Sequence, residues 1–141
     1  MLAGLGTLCL LTWPLLHFLW PYMALPAVEV SGLLSDCGLT GGTAWVFALY
    51  SVTIHPILEE TFWRGMLPDH ALSDALFAGF HVVVLAPLIH AGWLPVVFGV
   101  LWTASGIWRY LARSTGGLLL PVLTHAIADL GVLLAVRALA G

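Results

Sequence analysis

The 141-residue chain is 61% hydrophobic and 8% charged, with a mean hydropathy of +1.05, whereas a soluble domain carries roughly 25% charged residues. That leaves too little polar surface for a water-soluble globule and points to an integral membrane protein whose first partner is the lipid bilayer. A net charge of -3, with four arginines and no lysine, makes no basic patch and argues against a nucleic acid partner.

A spanning helix needs about 20 mostly apolar residues, and five segments come close. The first covers about residues 2–23, with Pro14 and Pro21 as kinks; lacking a positive leader, it reads as a retained helix rather than a signal peptide. Cys9 within it reads as a small apolar residue, and with Cys37 it suggests neither a disulfide framework nor a metal pair. The stretch SGLLSDCGLTGG then reads as turn-rich. The second helix spans about residues 43–65, and LPDHALSD follows as a short connection, with Ser73 or Asp74 as the N-cap of the next helix. A third helix covers about residues 75–90. Gly92 and Pro95 mark a turn into a fourth that extends to about residue 112. RSTGGLLLP is a loop, and the last helix covers about residues 119–139. The expectation is an all-α integral membrane fold, a bundle of about five transmembrane helices forming one polytopic domain over residues 1–141. With an odd number of spans, Arg64, Arg109 and Arg113 fall on the side of the N-terminus and Arg137 opposite. The positive-inside rule then puts the N-terminus in the cytoplasm.

Charges inside a bilayer cost roughly 2.5–3.5 kcal/mol each on insertion scales, so each is a functional candidate. In HPILEETFWRG, Glu60 and Arg64 are four residues apart and stack as an ion pair, while Glu59 points about 100° away and can face another helix. Glu59, His81 and His125 each fall about seven residues from a helix end on the same side, roughly 10 Å below one membrane face. A buried polar site shared by the second, third and last helices is therefore expected. His125 and Asp129 are also four apart, and Phe77 shares a face with His81, giving an aromatic wall beside a polar head. A carboxylate in low dielectric can serve as a general base near neutral pH, and imidazole donors can stabilise an oxyanion. Together these groups suit hydrolysis of an amide or ester within the membrane. His17, His55, His70 and His90 have no such support and read as loop, interface or packing residues, His55 lying one turn before Glu59.

EETFWR fits E-E-x-x-x-R, FAGFH fits F-x-x-x-H, and HAIAD fits H-x-x-x-[N/D]. In this order on successive apolar helices, the chain resembles the family of CAAX prenyl proteases and bacteriocin-processing or self-immunity proteins, glutamic-type intramembrane proteases. STGGLLLPVLTHAIAD is similar to that family's approach to its last motif, and the resemblance covers a catalytic core of about residues 54–134. It implies Glu59 as the base that activates water, His81 as a partner of that water, and His125 with Asp129 as polarisers of the scissile carbonyl. Glu60 and Arg64 would support them, with Phe77 alongside. It implies no cofactor, a peptide or membrane-anchored protein as substrate, and residence in a prokaryotic cytoplasmic membrane. Two departures stand out. Asp129 replaces the asparagine of many members, and the chain is shorter than the prenyl-processing enzymes, which fits removal of C-terminal sorting signals better than cleavage of a prenylated substrate.

Other readings compete. TASG at residues 103–106 partly resembles a serine-protease nucleophile turn, with His125 downstream. Zinc on His81, His125 and a carboxylate would use ordinary zinc ligands, although H-E-x-x-H does not occur. A non-enzymatic toxin-immunity or membrane-assembly partner would use the polar cluster only to hold helices together.

Overall fold

A computed structural model describes residues 9–25, 29–68 and 70–140; expectations for residues 1–8 and for Asp69 lie outside the described residues. The elements described are all helical: α1 (Thr12–Met23), α2 (Val30–Asp36), α3 (Gly41–Glu60), a π-helical segment (Thr61–Met66), α4 (Ala71–Leu85), a 3-10 turn (Ala91–Trp93), α5 (Leu94–Thr115) and α6 (Leu119–Ala140). The all-α expectation holds. Among the described residues, two helical stretches, Ala91–Thr115 and Leu119–Ala140, are long and apolar enough to cross a membrane. A third candidate joins Val30–Asp36 to Gly41–Met66 across a 96° bend. The sequence suggested about five spans. Of the predicted spans, α4 has 15 residues, against the roughly 20 that a bilayer core requires, and the first predicted segment lies partly outside the described residues.

Other boundaries move for local reasons. The turn-rich stretch holds the seven-residue α2. The second predicted helix ends its α-helical part at Glu60 and widens into the π turn, where the N–H of Leu67 reaches the carbonyl of Phe62, five residues back, at 3.2 Å. The third begins earlier than predicted because the His70 side chain accepts the N–H of Leu72 at 3.2 Å. Ser73 and Asp74, the expected caps, are instead buried within α4. At the end of α5, Gly116 adopts φ +66°, the left-handed conformation a glycine takes without steric cost.

The burial pattern is inverted relative to a soluble protein. Glu60, Ser73, Asp74, Ser105, Thr124 and His125 are buried, while Phe18, Trp45, Val83, Val100 and Leu119 are exposed. Apolar side chains facing lipid cost nothing, whereas polar groups in hydrocarbon require partners inside the protein. The helices and this inversion describe an integral membrane protein.

The chain forms two compact units, Met1–Pro56 with Leu123–Gly141, and Ile57–Val122. In the first, α1 lies close against α6: the Thr12 hydroxyl donates to the carbonyls of Cys9 at 2.7 Å and Ala128 at 3.3 Å. A methyl group on Gly131 would overlap the Thr12 Oγ1, so this approach requires glycine. Arg137 lies 5.3 Å from the centre of the Trp45 ring, a cation–π geometry. In the second unit, α4 packs along α5, and the π segment touches α4.

Candidate active site

The second unit is organised around a buried polar chain. Glu60 ends α3 fully buried, and one turn on, Arg64 reaches back to donate to its Oε1 at 2.9 Å. The same guanidinium donates to the Ser105 hydroxyl at 2.6 Å and to the Ser105 carbonyl at 3.3 Å. Ser105 passes its own hydrogen to Asp74 Oδ1 at 2.9 Å. Arg109, one turn beyond Ser105, holds Asp74 Oδ2 through Nε and an Nη nitrogen, each at 2.7 Å. Charge-assisted bonds of this length are the strong kind, and in a low-dielectric interior they fix the helices that carry them. The Glu60–Arg64 pair predicted from the spacing is present. Ser105, Asp74 and Arg109 are additions that the sequence reading assigned elsewhere: a helix cap for Asp74, a topology signal for Arg109.

Aromatic rings enclose this chain. Phe77, 1% exposed, stands edge-to-face with Trp63 at 5.7 Å and with Trp108 at 5.8 Å. The Arg64 guanidinium carbon lies 4.9 Å from the Phe77 ring centre and 5.4 Å from that of Trp108. Phe77 also meets the His81 ring at 4.3 Å, so the aromatic wall expected beside His81 exists.

His81 and Glu59 come together in this unit. The His81 Nδ1 lies 2.9 Å from the Phe77 carbonyl. A carbonyl can only accept, so Nδ1 carries the hydrogen, and in the neutral ring Nε2 presents a lone pair. That Nε2 lies 3.9 Å from Glu59 Oε2, beyond direct hydrogen-bond range. Two acceptors at this separation suit a water molecule that donates one hydrogen to each.

In the first unit, His125 is 3% exposed and its Nε2 lies 3.7 Å from Asp129 Oδ1, one helical turn along α6. The spacing predicted this pairing. The other carboxylate oxygen of Asp129 lies 3.6 Å from Nδ1 of His55, a histidine that the sequence reading set aside as packing. Its place one turn before Glu59 was the only signal, and spacing within one helix says nothing about a partner in another.

The serine reading loses its basis here. Ser105 is 1% exposed, with its hydroxyl bonded to Asp74 and Arg64 rather than to a histidine. Among the described residues, no group of three His, Cys, Asp or Glu side chains is arranged to hold a metal ion.

Comparison with curated proteins and with solved structures gives no match. Comparison with protein families gives one: the family described as type II CAAX prenyl endopeptidase Rce1-like matches residues 41–131, more than half of the chain and including all three motifs. The chain therefore belongs to the Rce1-like family of type II CAAX prenyl endopeptidases.

Proposed function

We propose that this protein is an intramembrane endopeptidase in which Glu59 activates water for attack on a peptide bond. The observation that carries the reading is the geometry of the Glu59–His81 pair, 3.9 Å apart with the His81 tautomer set by the Phe77 carbonyl. A water donating to both acceptors keeps its oxygen lone pairs available for attack. Glu59 takes one proton as the oxygen bonds to the scissile carbon, and the carbonyl becomes an oxyanion. His125 donates to that oxyanion, and Asp129 orients the His125 imidazole. Glu59 then returns the proton to the leaving amine as the carbon–nitrogen bond breaks. Glu60 and Arg64 hold the end of α3 so that Glu59 keeps its position. An aspartate at position 129, rather than an asparagine, suits this orienting role better than direct donation to the carbonyl.

The proposed substrate is a membrane-anchored protein or peptide cleaved near its C-terminal signal. The test is mass spectrometry of products from a panel of such peptides, some prenylated and some not, incubated with purified protein in liposomes with and without a strong chelator. A single cleaved bond that survives chelation and disappears in His81→Ala is the expected result. Loss on chelation would move the chemistry to a metal. Absence of cleavage across the panel would favour the binding-partner reading.

A further inference from the structure

Each of the two carboxylate oxygens of Asp129 faces a different imidazole. Oδ1 lies 3.7 Å from Nε2 of His125, one turn back on α6, and Oδ2 lies 3.6 Å from Nδ1 of His55 on α3. All three residues belong to the first unit. Helical spacing alone brings His125 to Asp129, but His55 comes from a separate helix, so its approach is a tertiary feature. The two imidazoles differ in access: the His125 side chain is 4% exposed and that of His55 is 39%, so His55 can be changed without opening a cavity. The Tyr50 ring stands tilted to the His55 ring at 6.0 Å, an aromatic contact that narrows the range over which the imidazole turns.

A carboxylate is the group that this arrangement requires. An ionised carboxylate accepts through both oxygens, whereas an asparagine amide offers one accepting oxygen and one donating NH2. With an imidazole N–H on each side, the amide would set a donor against a donor on one of them. Both distances exceed direct hydrogen-bond length by about half an ångström, and catalytic hydrogen bonds commonly tighten only when substrate is bound. A contact to each oxygen, from two different helices, fixes the plane of the carboxylate more firmly than a contact to one.

We propose that His55 is a positioning residue for the oxyanion partner: it holds Oδ2 of Asp129, so that Oδ1 holds the His125 imidazole in place. This role rests on the oxyanion function proposed for His125. Removing an oxyanion donor outright costs about 10²–10³ in kcat, so loosening its support through a second residue should cost less, about tenfold. The loss should fall on kcat and not on KM, because the oxyanion develops only in the transition state.

The experiment compares wild type with His55→Leu, His55→Asn, Asp129→Asn and the His55→Leu, Asp129→Asn pair in two readouts. One is steady-state cleavage in liposomes. The other is nitrogen NMR of the labelled histidine imidazoles of the full chain in detergent micelles, with His125 assigned from His125→Gln. His55→Leu should lower kcat about tenfold with KM within about twofold of the wild type. Asn carries its amide nitrogen on Cγ, as His carries Nδ1, so His55→Asn should restore kcat to within about threefold. In the Asp129→Asn background, His55→Leu should add nothing, because the partner it acts through has already changed. The His125 nitrogen signals should move in His55→Leu and in Asp129→Asn, and stay in place in His55→Asn. A fully additive pair, a His55→Asn as slow as His55→Leu, or His125 signals unmoved in His55→Leu would each overturn the proposal. Cleavage unaffected by Glu59→Gln, or no cleavage at all, would strike the peptidase reading alone, and the NMR comparison would still decide whether His55 positions His125.

Discussion

The polar contacts of this protein differ sharply in length between two regions. From Glu60 through Arg64, Ser105 and Asp74 to Arg109, successive side chains meet at 2.9, 2.6, 2.9 and 2.7 Å. The histidine–carboxylate pairs are longer: 3.9 Å for His81 with Glu59, 3.7 Å for His125 with Asp129, and 3.6 Å for His55 with Asp129. A charge closed into short bonds is stabilised in one state and resists a change of protonation or position. Groups held near one another, but beyond hydrogen-bond length, keep room for a water or a substrate atom. The short chain is thus the scaffold, and the longer pairs are where chemistry is proposed. Evenly short contacts throughout would have described a structural network only.

The largest way to break this comparison is Glu59→Gln, which keeps shape and removes the base. Peptide cleavage should fall by about 10²–10⁴-fold, with the thermal transition in detergent close to that of the wild type. Arg64→Ala should act in the other manner, leaving Glu60 buried without its guanidinium. A loss of roughly 3–5 kcal/mol in stability is expected from breaking a buried pair, readable as a lower denaturant midpoint before any assay of activity. Ser105→Ala sharpens the distinction, because it interrupts the short chain at its hydroxyl. It should cost about 1–3 kcal/mol of stability and keep the cleavage rate within about tenfold of the wild type. Of similar size, Gly131→Ala should press Thr12 away from α6 two residues beyond Asp129, costing roughly 1–3 kcal/mol. If its cleavage rate also drops while Glu59 and His81 are untouched, the His125–Asp129 pair depends on that close helix approach.

Much of this arrangement was legible in the sequence, and the reasons are local. Apolar runs marked the helices, because hydropathy is a property of each segment alone. The i,i+4 pairs Glu60–Arg64 and His125–Asp129 followed from helical geometry and are present. The three ordered motifs named the family that residues 41–131 match. What stayed hidden depends on distant partners. Asp74 resembled a cap because its true partner, Arg109, lies 35 residues away on another helix. Ser105 resembled a fragment of a nucleophile motif, since nothing local shows that Asp74 and Arg64 hold its hydroxyl. His55 offered only its position, and its neighbour Asp129 lies on α6. Helix ends were also hidden, because hydropathy measures how oily a segment is but not where the helix within it stops. The π turn after Glu60 and the side-chain cap of His70 set such ends, and hydropathy registers neither.

The most direct test of the scaffold-and-chemistry division is one cleavage assay in liposomes comparing wild type, Glu59→Gln and Ser105→Ala on a single substrate. The division predicts near-complete loss for Glu59→Gln and a rate within about tenfold of wild type for Ser105→Ala. Equal loss in both, or loss in Ser105→Ala alone, would contradict it and return the reaction to the buried serine.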